Sequence, residues 1–140
     1  MNKTNQLLIA LFLILFFACE QNNNSDEILP EFGSISGEIN FSGTWPYTGE
    51  VLLTLNTQYP VTGPPAGFTY ITSDSLSDNI YNYNFSNLSF RNYEALTVTY
   101  WPEGYITGGS NYSTIGIYED SINVTQDIPE YLIDIDAVFN

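Results

Sequence analysis

Carboxylates and aromatic rings are the reactive stock of this sequence. Its 140 residues include 16 Asp and Glu, two cations (Lys3 and Arg91), one cysteine (Cys19) and no histidine. Without imidazole there is no histidine-built zinc site, no Ser-His-Asp triad and no histidine acid–base chemistry. Two isolated cations cannot neutralise a run of phosphates, so nucleic acid is excluded as a partner. Paired carboxylates remain as one chemical device, the one that glycoside hydrolysis uses. Glu94 and Glu103 flank an aromatic segment, and Asp134 and Asp136 alternate along the C-terminal one. Asp134 and Asp136, or Glu119-Asp120, could also offer oxygens to Ca²⁺. No D-x-[DN]-x-[DN]-G loop accompanies them, and two carboxylates on a strand are too few for a site. Acids at alternate positions are equally the solvent face of a half-buried strand. The expectation is a protein that is not an enzyme, with no catalytic residue, no resident metal and no cofactor.

The aromatic rings offer recognition instead of catalysis. Trp45-Pro46-Tyr47 and Trp101-Pro102-Glu103-Gly104-Tyr105 are two turn segments of the same make: Trp-Pro with a nearby Tyr. Rings on rigid turns can stack on sugar faces or anchor a protein partner. Trp45, Tyr47, Trp101 and Tyr105 are therefore the candidate binding residues, and Tyr59 and Tyr112 could extend the patch. The competing reading is packing, with each Trp sealing the open end of a β-sandwich and proline fixing the turn.

Both turns belong to a segment that must first be delivered. Residues 7–17, LLIALFLILFF, form an unbroken apolar run behind a polar stretch holding Lys3. It falls short of the roughly 20 residues a spanning helix needs and suits the core of a secretory signal. Ala18-Cys19 follows at once. The stretch LFFAC resembles the lipobox of bacterial lipoproteins, with Phe17 where a small residue or Thr is more usual. The resemblance implies cleavage after residue 18 and an acylated Cys19 as the membrane anchor. An ordinary secretory signal with an incidental thiol is the alternative. A lone exported cysteine has no disulfide partner within the chain, and lipidation would use it. Several acyl chains hold stably where one does not.

Cleavage would remove Lys3 and leave Arg91 against 16 acids, a formal charge of −15. Such a surface repels anionic membranes and polyanions. Glu20 stands after the cysteine where Asp would resemble an inner-membrane retention signal, so outer-membrane sorting is expected. Residues 21–27, QNNNSDE, lack any apolar side chain and read as a disordered tether. Asp26 and Glu27 resemble surface-export signals of Bacteroidota lipoproteins; the periplasmic and the outer face both stay open.

Residues 32–140 read as one domain after the signal (1–18) and the lipidated tether (19–31). The segment is the usual size for a single core. Its Tyr, Phe and β-branched content, cut by Gly, Pro and Asn, is a strand-and-turn composition. Period-two alternation predicts strands over 34–41, 50–57, 67–72, 80–85, 93–101, 112–118, 121–125 and 131–139, with a bulge at Tyr93-Glu94-Ala95. The loop 58–66 holds three prolines and cannot be an inner strand. Seven or eight short strands, each with one apolar face, argue an all-β antiparallel β-sandwich.

Tyr83-Asn84-Phe85-Ser86-Asn87-Leu88, then Arg91-Asn92-Tyr93 and Leu96-Thr97-Val98, resemble the "YxFxxL…GxYxLxV" core of transthyretin-like, carboxypeptidase-regulatory-like domains. The opening GSISGEINF, residues 33–41, is similar to their first strand. The likeness covers about residues 33–139 and implies a prealbumin-type sandwich. It implies no catalytic residues. Asn92 stands where that family usually has Gly, and Asn also tolerates a left-handed turn. Asp74-Ser75-Leu76 and Asp120-Ser121-Ile122 resemble a D-[S/T]-apolar O-glycosylation motif of Bacteroidota. The reading that results is a non-enzymatic envelope lipoprotein with a structural or interaction module, or alternatively a surface module that binds a glycan or a protein partner through its aromatic turns.

Overall fold

Alternating side chains build ten short strands in a computed structural model that describes residues 29–140. The expected signal, Cys19 and the tether up to residue 28 lie outside the described residues. The strands are β1 (Gly33–Ser42), β2 (Glu50–Asn56), β3 (Gly67–Ile71), β4 (Ile80–Leu88) and β5 (Arg91–Tyr93). They continue as β6 (Ala95–Trp101), β7 (Ser113–Tyr118), β8 (Ile122–Val124), β9 (Glu130–Leu132) and β10 (Ile135–Val138). One 3₁₀ turn, Ser73–Ser75, links β3 to β4. The first sheet has the order β10-β1-β4, with β9 also on β1; the second is β3-β2-β6-β7; β5 and β8 form a ribbon. The all-β class expected from composition and alternation is what the chain forms.

The core draws on one face of each sheet. Ile35, Ile39 and Phe41 of β1 and Ile135 and Ala137 of β10 meet Val51, Leu53 and Leu55 of β2 and Leu96 and Val98 of β6. Each fully buried Leu or Ile contributes about 1.5–3 kcal/mol relative to exposure. Tyr93, Ile122 and Val124 of the ribbon join the same cluster beside the start of β1, where Gly33 lies against Val124. At the opposite side β7 and β10 approach so closely that a Cβ on Gly116 would sit 2.7 Å from the Asp136 carbonyl oxygen.

Local chemistry sets the breaks. Asp78 and Asn79 both adopt left-handed backbone, φ 51° and 64°, in the two-residue turn that closes Ser77 onto Ile80. That is the geometry a tight hairpin turn needs, and Asp and Asn tolerate it. The bulge expected near Tyr93 is a break between β5 and β6, where the Glu94 N–H leaves the ladder and donates to Asn56 O at 2.8 Å. Asn92 takes no left-handed turn; it is paired strand, opposite Asn123, and the left-handed residue is Asn87, φ 55°.

The C-terminal segment differs from the single strand that its alternation predicts. It divides into β9 and β10, both running parallel to β1. Between them the Ile133 N–H donates to Ser36 O, and Asp134 Oδ1 accepts the Glu38 N–H at 2.9 Å. The buried Tyr83 hydroxyl donates to Ile133 O at 2.7 Å and locks the jog. Burial raises the Tyr83 phenol well above its ordinary value, and the nearby Asp134 and Tyr118 add to the shift. Burial raises the Tyr93 phenol too, partly offset by Arg91.

Candidate functional site

The central strands of the second sheet, β2 and β6, are buried on both faces. Leu53 and Leu55 look into the core, yet Leu52, Asn56, Thr97 and Thr99 on the opposite face are buried as well. What covers that face is loop and turn. The Pro-rich loop 57–66 folds over one end of β2 and β6, and the turn 102–112 folds over the other. Between them lies a groove of about 550 Å³, inside the usual range for small-ligand sites. Its floor is a hydroxyl and amide surface, Thr54, Asn56, Thr97, Thr99 and Thr114. Its walls are Tyr59, Pro60, Val61 and Pro65 on one side and Trp101, Tyr105 and Tyr112 on the other. None of the lining residues carries a charge.

The floor is a connected network. Thr54 and Thr97 face each other across β2 and β6, their hydroxyl oxygens 2.6 Å apart. Asn56 Nδ2 donates to Thr54 Oγ1 at 3.0 Å and to Thr97 Oγ1 at 3.3 Å. Two residues along β6, Thr99 Oγ1 accepts the indole N–H of Trp101 at 2.8 Å. Buried polar groups carry a cost unless paired, and these are paired.

The aromatic wall is braced from behind. Trp101 stacks on Tyr112 at 4.5 Å between ring centroids and meets Tyr105 edge-on at 5.0 Å. These are the preferred offset and T-shaped arrangements. The turn begins with Gly104 at φ 83°, a left-handed position that a residue with Cβ rarely adopts. The Tyr105 backbone N–H then donates to Glu50 Oε2 at 2.7 Å. Asn111 Nδ2 reaches Glu103 Oε1 at 3.2 Å, and the Thr107 hydroxyl donates to Glu103 O. Both acids thus hold the turn, and neither lines the groove.

Of the candidates singled out in the sequence, Trp101 and Tyr105 come together here, joined by Tyr59 and Tyr112. Trp45 and Tyr47 do not. Trp45 lies edge-on to Phe41 at 5.2 Å and to Phe139 at 5.0 Å, plugging the end of the core. Tyr47 on the same turn is fully exposed. Glu94 and Glu103 do not converge on the groove. Asp134 is engaged with the Glu38 N–H, and Asp136 alternates outward on β10. Among the described residues no group of three or more His, Cys, Asp or Glu could hold a metal ion.

The floor residues were not among the sequence candidates. Their signal was present as Thr54-x-Asn56 and Thr97-x-Thr99-x-Trp101, a polar row ending in Trp on the face opposite the apolar one. Such a row looks the same whether it meets water or a covering loop. No family model, no curated protein and no solved structure matches the chain.

Proposed function

We propose that this chain is a lipid-tethered, non-enzymatic binding module of the bacterial outer membrane, built on a transthyretin-like β-sandwich. Its site is the groove over the second sheet. The lipobox-like LFFAC segment supports the tether, with Cys19 as the acylated residue. The single observation that carries the binding reading is the groove itself: rings on two walls, a hydroxyl floor and no charge. Such a lining can stack and hydrogen-bond, and it brings no carboxylate, thiol or amine to a bound molecule.

Two measurements test this reading. Cells expressing the chain are fed an alkyne fatty acid; label on the parent and none on Cys19→Ala is expected, and equal label would remove the anchor. A photo-crosslinking benzophenone residue is then placed at Tyr105, in the groove, or at Tyr47, outside it. Adducts in whole cells from position 105 and none from 47 are expected. Equal adducts from both, or none from 105, would refute the groove as the site.

A further inference from the structure

Resting on that reading of the groove, we infer that its ligand is an uncharged oligosaccharide. The inference comes from the hydrogen-bonding capacity that the floor has left after its own bonds are made. Asn56 uses its amide N–H groups on Thr54 and Thr97, so Oδ1 is the part of that side chain left to accept. Thr54 and Thr97 share one hydroxyl proton between them, which leaves one proton free to donate outward. Thr99 accepts from Trp101 and keeps its own proton. These four side chains therefore present two outward hydroxyl protons beside the Asn56 amide oxygen, and Thr114 adds a further hydroxyl. Adjacent sugar hydroxyls each donate and accept, and match such a set without any ionic group.

The walls agree with the floor. A pyranose ring has C–H-rich faces that lie on aromatic rings, and Tyr112 and Tyr59 are 46% and 47% exposed at the groove. An anionic glycan would find no counter-charge there, in a chain whose one cation among the described residues, Arg91, belongs to β5 and does not line the groove. A proline-rich peptide is the other guest that aromatic grooves take. It offers carbonyl oxygens to the wall and floor hydroxyls but few N–H groups, so it would leave the Asn56 Oδ1 acceptor without a donor.

The experiment titrates the full-length chain, in detergent, with neutral hexasaccharides of glucose, xylose, mannose and galactose. A galacturonate oligomer and a proline-rich decapeptide run beside them, all read by tryptophan fluorescence and calorimetry. At least one neutral hexasaccharide is expected to bind, and the galacturonate at least about tenfold more weakly. Tyr112→Ala and Tyr59→Ala should each weaken the neutral ligand about tenfold. Both side chains are half-exposed, so the melting transition reports whether either change has disturbed the fold. Thr99→Val, which keeps shape but removes both the outward proton and the acceptor of the Trp101 N–H, should also weaken it, and its melting transition is read beside those of the tyrosine variants. Binding by no neutral sugar, tighter binding of the galacturonate, or unchanged affinity in all three variants would overturn the inference. If the decapeptide binds instead and the tyrosine variants lose it, the glycan assignment falls while the groove stands. If neither class binds and cross-links from position 105 are absent as well, both readings fall.

Discussion

Replacing Trp45 by Ala separates packing from recognition. The indole sits at the end of the core, edge-on to Phe41 and Phe139, in partial contact with solvent. A fully buried Trp→Ala change costs about 3–5 kcal/mol, and partial exposure places this site near the lower end, about 3 kcal/mol. Phe41 and Phe139 also stack on each other, centroids 5.8 Å apart, so they hold position and leave a cavity unfilled. For a domain of this size each kcal/mol moves the melting temperature by about 4 °C, giving a drop of about 12 °C. Circular dichroism melts and urea titrations of the parent and the variant measure it. Trp45→Phe should recover roughly half of the loss, because one ring still meets the two phenylalanines. Ligand affinity at the groove should be unchanged below the new transition, since Trp45 is not part of its lining. A drop under about 4 °C, or lost affinity in a variant of full stability, would refute this assignment of roles.

Two further outcomes follow from the packing. Gly116→Ala drives a methyl group into the Asp136 carbonyl and Ala137 where β7 meets β10. Overpacking of this kind costs about 1–3 kcal/mol, so a melting drop of about 4–12 °C is expected, and an unaltered melt would contradict the close approach. Stability should be level up to about pH 10, the ordinary tyrosine value, and fall above it. Tyr83 and Tyr93 have folded-state values raised by burial, so above pH 10 the unfolded chain loses protons that the folded chain keeps. Each contributes a slope of up to about 1.4 kcal/mol per pH unit against folding. Urea midpoints between pH 8 and 11.5 check this, and a midpoint that rises above pH 10 would reverse the sign.

How much of this was legible in the residues depends on whether a feature is local. The strand positions were, because Ile35, Ile39 and Phe41, or Val51, Leu53 and Leu55, repeat with period two and need only their own segment to declare a face. The break at Glu94 was too, since the alternation fails there. The division of the last strand was not. Tyr131, Ile133, Ile135, Ala137 and Phe139 keep perfect alternation, and what separates β9 from β10 is a set of bonds to Ser36, Glu38 and Tyr83, some 50 to 100 residues away. Parallel pairing with β1 is equally a matter of partners and not of pattern. For the groove, the aromatic half was visible as Trp101-Pro102 and Tyr105. The hydroxyl half was hidden because Thr54 and Thr97 read as solvent-facing until the loop 57–66 and the turn 102–112 are laid over them. Trp45 and Trp101 share their sequence surroundings, but Trp45 lies in the loop after β1 and packs on the end of the core, while Trp101 ends β6 on the face away from the core.

The ten residues of β1 extend for about 33 Å, and they give the molecule two poles. Leu29 and Pro30 approach at the Gly33 pole, while the Trp45 and Trp101 turns crown the other. A leash leading from Cys19 would place the bilayer beneath the first pole. Strands in packed sheets stay within about 30° of one another, so β2 and β6 would stand nearly upright on that surface, and the groove, walled at the two ends of those strands, would run across them. A long chain-like guest would then lie level above the membrane, like a rail held between two brackets.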